Sequence, residues 1–85
     1  MVIPDGFSPN GDGINDVFTL HNKKGVKVSL QIYNRYGGLV YSNADYRNEW
    51  AGLSEDGKPT PDGTYFSVIK SGDGQNYRKA LTIVR

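Results

Sequence analysis

The residues best suited to chemistry lie in one short stretch near the start of the chain, between Phe7 and Phe18. Oxygen-bearing side chains recur there at close spacing, on Asn10, Asp12, Asn15 and Asp16. Calcium binds about six to eight oxygens on a loop that glycine allows to curl, and Gly11 and Gly13 lie among these residues. The pattern predicts an ordered loop that either binds calcium, with Asp5 as a further ligand, or keeps its shape through Asx hydrogen bonds alone.

The stretch does not follow the EF-hand pattern. Ser8 stands at the first ligand position, where an acid is required, and Thr19 stands at the last, where a bidentate Glu is required. The run is more similar to the Asn-x-Asp-Gly loops of dockerins and thrombospondin type 3 repeats. Whether an ion occupies the loop therefore stays open at the level of sequence.

Residues that could serve catalysis are sparse. His21 is the only histidine, and Ser29, Ser67 and Ser71 lie in or at the end of predicted strands without a nucleophile-elbow pattern. The carboxylates Asp56 and Asp62 stand in turn-forming sequence, where they are more typical of turns than of acid/base catalysis. We therefore expect a protein that is not an enzyme.

Aromatic residues suggest a second class of function. Six tyrosines and Trp50 could line a sugar-binding or protein-binding face, which makes a calcium-stabilised adhesion or carbohydrate-binding module the alternative hypothesis. Tyr33 is out of phase with the apolar residues of its strand, so it should face solvent or a partner. Tyr65 and Phe66 must point to opposite faces of theirs.

Two hairpins form the predicted framework that positions these residues. Apolar side chains alternate with polar ones over residues 26–33, which predicts a central strand with one buried face, and residues 39–41 return beside it after a glycine-rich turn. Residues 63–70 and 77–84 form the second predicted hairpin.

The other segments are shorter or irregular. Residues 2–3 and 17–20 are predicted strands, residues 43–53 are irregular with Trp50 closing one end of the core, and residues 54–61 form an exposed connection. No helical periodicity persists. About seven short strands predict an all-β, immunoglobulin-like antiparallel β-sandwich, with the Tyr65 hydroxyl tied to upstream backbone as in a tyrosine corner.

Composition limits the remaining classes. The chain of 85 residues is one domain with a small core, it has no cysteine, and its net charge of +1 lacks the basic field that nucleic-acid binding requires. It has no stretch of roughly 20 apolar residues that could span a membrane and no signal peptide. We expect a monomeric fragment whose targeting signal lies upstream.

Five blocks of sequence, in order, resemble a known family. They are residues 7–16, residues 32–37 with 40–41, residues 50–52, residues 61–66 and residues 81–85. Together they are similar to the gliding motility-associated C-terminal domain, the type B sorting domain of the type IX secretion system of Bacteroidota. The family-motif positions carried by this chain are Phe7, Pro9, Gly11, Gly13, Phe18, Asn34, Arg35, Gly37, Trp50, Gly52, Gly63 and Tyr65. Ala51 replaces the usual Asp, which weakens any link between a cation and the Trp50 loop, and Tyr36 replaces a frequent Trp.

The resemblance implies a function as well as a fold. Residues 1–85 would be the single, non-catalytic C-terminal sorting domain of a larger secreted protein, often an adhesin. The secretion machinery would recognise the folded domain at the outer membrane, with an outer-membrane protein of the PorP/SprF kind as partner. The protein would pass through the periplasm and finish at the cell surface or in the medium.

Overall fold

Five β-strands form one sheet in the computed structural model, which describes residues 3–9, 11, 16–21 and 25–84. The strands are β1 (Gly6–Phe7), β2 (Val28–Tyr33), β3 (Leu39–Asn43), β4 (Gly63–Ser71) and β5 (Asn76–Ile83). Their order across the sheet is β1-β5-β4-β2-β3, and every pairing is antiparallel except that of β1 with β5. No helix occurs among the described residues, so the predicted all-β class is confirmed.

Alternation along the strands gives the sheet one buried and one open face. Val28, Leu30 and Ile32 of β2 are buried, whereas the residues between them are only half-buried. The same alternation continues in β4 and β5, where Ile69 and Leu81 are fully buried. Because side chains in a strand point alternately to opposite faces, the core lies on one side of the sheet.

Irregular chain, not a second sheet, covers this core among the described residues. Phe18, Leu20, Tyr46 and Trp50 lie outside the strands and are buried against the sheet. The strand predicted over residues 17–20 is wrong. The Phe18 amide donates to the Trp50 carbonyl at 2.9 Å, and the Leu20 amide donates to Asn48 Oδ1 at 2.8 Å, so this segment bonds to a loop instead of a strand.

The predicted seven strands and the two-sheet sandwich are therefore not confirmed. The opening strand is also shifted: Val2 lies outside the described residues, Ile3 is not in a strand, and β1 begins at Gly6. A Cβ added at Gly6 would collide with the backbone carbonyl of Thr82. Glycine thus permits the close approach of β1 to β5.

Both predicted hairpins are confirmed, with changes at their ends. β2 begins at Val28, two residues later than predicted, and β3 continues to Asn43. The register of β2 against β3 shifts between Ile32 and Tyr33, next to the turn that joins the two strands. β5 pairs with β4 over its whole length, from Gly63 opposite Ile83 to Lys70 opposite Asn76.

Candidate functional site

The described part of the Asp-rich loop is anchored by hydrogen bonding and ring packing. Asn10, Asp12, Gly13 and Asn15 lie outside the described residues. Asp16 Oδ1 accepts a hydrogen bond from the Gly11 amide at 3.0 Å, and Gly11 has a φ of +79°, which favours glycine. Phe7 and Phe18 are both buried, with ring centroids 6.0 Å apart. They hold the two ends of the loop against the core.

The sequence predicts Asp5 as a further calcium ligand of the loop, whereas the structure places its carboxylate in an ion pair outside the loop. Its carboxylate lies 2.9 Å from Lys79 Nζ, which also donates to the Ile3 carbonyl at 2.8 Å. Asp5 is therefore ion-paired to β5 at the sheet edge. Within the described residues, no group of three or more His, Cys, Asp or Glu side chains converges as metal ligands would.

Trp50 is the centre of an aromatic cluster that joins separate sequence blocks. Its ring lies 5.3 Å from Phe7, 6.4 Å from Phe18 and 5.5 Å from Tyr41, between centroids. The indole Nε1 donates to the Leu53 carbonyl at 2.7 Å, and only 2% of the residue is exposed. Trp50 thus closes the core, as predicted, and is not available to stack on a sugar.

Tyr46 supplies a polar link in this cluster that sequence reasoning missed. Its hydroxyl donates to the Phe18 carbonyl at 2.5 Å and accepts from the Trp50 amide at 3.1 Å. Burial raises the pKa of this hydroxyl well above its ordinary value, so it remains protonated. Tyr46 therefore ties together two segments that lack a strand ladder. A tyrosine in irregular sequence gave no signal for this role.

Asn48 performs a similar task on the neighbouring turn. Its φ of +59° places it in the left-handed region, which Asn tolerates better than most residues. Its side chain accepts from the Leu20 amide at 2.8 Å and donates to the Leu20 carbonyl at 3.4 Å. The side-chain amide of Asn48 thus makes the hydrogen bonds that a neighbouring strand would make to this segment. Asn48 was not identified from the sequence.

The exposed end of the β2–β3 hairpin presents the second motif block. Asn34 Oδ1 accepts from the amides of Tyr36 and Gly38, each at 2.9 Å, and the Asn34 amide donates to the Gly38 carbonyl at 2.8 Å. Gly37 has a φ of +85°, which a side chain would strain. Asn34 and Gly37 thus fix the shape of the turn.

Arg35 and Tyr36 project from this fixed turn. Arg35 Nη2 donates to the Tyr36 hydroxyl at 2.7 Å, and the Arg35 Cζ lies 4.9 Å from the centre of the Tyr36 ring. Tyr36 is 80% exposed. A cation and an aromatic ring are therefore displayed side by side at the tip of the hairpin, where a partner can contact both.

A cleft of about 390 Å³ lies beside the turn and joins two motif blocks. Asn34, Arg35 and Tyr36 line one side, and residues 61–65 line the other. The Tyr65 hydroxyl donates to the Pro61 carbonyl at 2.7 Å, which confirms the predicted bond to upstream backbone. Gly63, with a φ of +148°, leads the chain from this corner into β4. The turn and the cleft form the candidate recognition site.

The remaining motif residues are structural. Gly52 has a φ of +78°, and its carbonyl accepts from both the Thr60 amide and the Thr60 hydroxyl, each at 2.8 Å. These bonds close the loop beneath Trp50. Pro9 follows Phe7 by two positions in the sequence and is half-buried. The first and third blocks therefore build the core, whereas the second and fourth meet at the surface.

Three of the residues considered for catalysis, Ser67, Ser71 and Asp56, are hydrogen-bonded within turns and strands. His21 is exposed, and the buried Ser67 hydroxyl donates to the Lys79 carbonyl at 2.8 Å. The Ser71 hydroxyl donates to the Asp73 carboxylate within the β4–β5 turn. Asp56 accepts from Ser54, and this bond lowers the pKa of its carboxyl. The bonds of Ser67, Ser71 and Asp56 thus support local turn and strand structure.

Comparison with known proteins identifies one family. The family described as CHU_C Type IX secretion signal domain matches residues 1–84. No curated protein and no solved structure matches the chain. In the part of the chain that the structure describes, no helix is long and apolar enough to cross a membrane.

Proposed function

We propose that this chain, which belongs to the CHU_C Type IX secretion signal domain family, directs an upstream cargo protein across the outer membrane through the type IX secretion system. A type IX secretion signal implies export out of the cell. We infer that residues 1–85 form the single C-terminal sorting domain of a larger protein. The periplasm is the proposed transit compartment, and the cell surface or the medium is the proposed destination of an adhesin-like cargo. The observation that carries the proposal is the family match over residues 1–84.

The proposed recognition site is the turn and cleft at the end of the β2–β3 hairpin. The Asn34 side chain accepts hydrogen bonds from two backbone amides, and Gly37 has the positive φ that the turn requires. Arg35 and Tyr36 are therefore presented on a fixed backbone. A pre-ordered turn loses less conformational entropy when a partner binds. The partner proposed from the family is an outer-membrane protein of the PorP/SprF kind, which would bind a monomeric domain.

We propose no catalytic role for the domain. The hydroxyls of Ser67 and Ser71 and the carboxylate of Asp56 are hydrogen-bonded within turns and strands. The alternative of a carbohydrate-binding module loses its main candidate, because Trp50 is enclosed by Phe7, Phe18 and Tyr41. The exposed tyrosine that remains at the turn is part of the proposed recognition site.

The Asp-rich loop is proposed to fix the N-terminal segment in this domain. Asn10, Asp12, Asn15 and Asp16 remain its proposed calcium ligands, beside the hydrogen bond that Asp16 makes to the Gly11 amide. The melting temperature in millimolar calcium and in a chelator tests the ion. A rise with calcium that Asp16→Ala abolishes supports the site, whereas equal melting temperatures reject it.

A secretion assay tests the proposed function. Residues 1–85 are fused to the C-terminus of a fluorescent protein that carries a signal for export to the periplasm. The fusion is expressed in a Bacteroidota host with its cognate partner, and in the same host without a functional type IX translocon. We expect extracellular or surface fluorescence only in the first host. Retention in the periplasm of both hosts would reject the proposal.

A further inference from the structure

The open face of the sheet carries an apolar row that no part of the described chain covers. Leu39, Tyr33, Phe66 and Ala80 are direct cross-strand partners, one each from β3, β2, β4 and β5. Val68 and Arg78 form the adjacent pair on the same face. These six residues define what we call the open sheet face.

Two large apolar side chains of this face are exposed, whereas Tyr33 and Val68 are half-buried. Leu39 is 52% exposed and Phe66 is 46% exposed, although Tyr65, the neighbour of Phe66, is buried in the core. A shallow depression of about 450 Å³ runs along the face beside Tyr33 and Phe66. Single exposed apolar residues are common on protein surfaces, but a contiguous row across four strands is typical of an interaction surface.

The charges on this face have one sign. Lys70 and Arg78 are exposed on the same side of the sheet as Phe66, since their positions in β4 and β5 share its phase. The positions of β2, β4 and β5 that face this side include no Asp or Glu. The chain as a whole is almost neutral, with a net charge of +1. The face therefore complements an apolar surface bordered by carboxylates.

A second copy of the chain fits this face less well. Two copies related by a two-fold axis would present the same patch to each other. Lys70 and Arg78 of both copies would then meet without a carboxylate from the described face positions between them. Like charges brought together at an interface oppose association.

We propose that the open sheet face binds a protein of the secretion machinery through an apolar surface bordered by Asp or Glu. This inference rests on the proposed function and adds a second contact area to the turn and cleft. Phe66 and Leu39 supply the apolar contact, and Arg78 pairs with a carboxylate of the partner. Burial of the apolar row provides affinity, whereas the charge pair selects the partner.

The secretion assay described above tests the face when it is repeated with variants of the fusion. Phe66→Thr keeps β propensity but removes the exposed ring, and Arg78→Glu reverses the charge. We expect each to lower secretion at least tenfold, whereas Arg78→Lys retains it. Leu53→Ser and Lys58→Glu are the matched controls, because both residues are exposed and lie outside the strands of the sheet. Urea unfolding midpoints of the purified variants must match that of the parent.

A charge exchange provides the sharper test. A photoreactive amino acid at position 80 identifies the protein that contacts the face in the secreting cell. Replacement of a carboxylate at the crosslinked site by Lys should restore secretion of the Arg78→Glu fusion and impair that of the parent. Absence of this reciprocal rescue at every crosslinked carboxylate would overturn the charge pairing.

The outcomes separate the inference from the function on which it rests. A parent fusion that is not secreted rejects both. Normal secretion of Phe66→Thr and Arg78→Glu beside a secreted parent rejects the open sheet face alone. A dimer of the purified parent that Phe66→Thr abolishes would assign the face to a second copy. Flotation with phosphatidylglycerol vesicles that Arg78→Glu abolishes would assign it to lipid, and either result overturns the proposal.

Discussion

Replacing Tyr46 by Phe should destabilise the domain strongly, because one buried hydroxyl links two irregular segments. The hydroxyl donates to the Phe18 carbonyl and accepts from the Trp50 amide. Phe keeps the ring and its packing but satisfies neither backbone group. A buried polar group left without a partner costs about 1–3 kcal/mol, so the two groups together should cost at least about 2 kcal/mol.

This loss is large for a chain of 85 residues. A domain of that length has a total stability of about 4–13 kcal/mol. Each kcal/mol shifts the melting temperature of a small domain by about 4–8 °C, so Tyr46→Phe should melt at least about 8 °C below the parent. Urea unfolding at neutral pH gives the free energy directly, and thermal melting checks it.

The control is Tyr36→Phe, which removes an exposed hydroxyl that accepts only from Arg35. Surface changes of this kind are usually within about 0.5 kcal/mol of the parent. An unfolding free energy of Tyr46→Phe within that same range would show that the Tyr46 hydroxyl does not stabilise the domain. In that case the aromatic packing and the hydrogen bonds of Phe18 to Trp50 and of Leu20 to Asn48 would hold residues 18–20 to the Trp50 loop without the Tyr46 hydroxyl.

Three further predictions concern pH, the edge strand and recognition. Burial raises the pKa of Tyr46, so the unfolded chain releases this proton first. Stability contributed by the protonated hydroxyl is therefore present below about pH 10 and falls by about 1.4 kcal/mol per pH unit above it, a slope that urea unfolding should find reduced in Tyr46→Phe. Gly6→Ala should cost about 1–3 kcal/mol in urea unfolding, because its Cβ meets the Thr82 carbonyl; a stability equal to that of the parent would contradict the close approach of β1 to β5. Arg35→Ala should lower secretion of the reporter fusion by about tenfold or more without changing its melting temperature, whereas Lys58→Ala should not; normal secretion of Arg35→Ala would remove the turn from the recognition site.

The strands could be predicted where pattern and turn residues agree. Apolar alternation in β2 and the glycine-rich turns of both hairpins are local signals, and they gave the central sheet nearly to the residue. The opposite orientations of Tyr65 and Phe66 followed from the same alternation and are confirmed by their burial. The family resemblance likewise depended on short blocks that sequence shows directly.

The irregular chain that covers the core could not be predicted, because its hydrogen-bond partners are distant in the sequence. Residues 17–20 have a strand-like composition, but their hydrogen-bond partners are a loop carbonyl and the Asn48 side chain, which lie about 30 positions further along the chain. Local propensity does not report which partner a segment meets. The roles of Tyr46 and Asn48 depend on the same long-range contacts, so their residue types alone gave no signal.

The cleft also depends on tertiary structure. The Asn34 turn and the Tyr65 corner are separate motifs in the sequence, and only the pairing of β2 with β4 brings them to one end of the sheet. That pairing requires the chain to leave the sheet after β3 and return at Gly63. The two motifs can therefore be recognised in the sequence, but their proximity in the fold cannot be predicted from it.

The extracellular fraction of a reporter that carries residues 1–85 at its C-terminus tests most directly whether this chain is a secretion signal. Secretion should occur in a host with an intact type IX system and its cognate partner, and the reporter should remain in the periplasm when the translocon is removed. Equal retention in both hosts, with a correctly folded domain, would contradict the claim that this chain is a secretion signal.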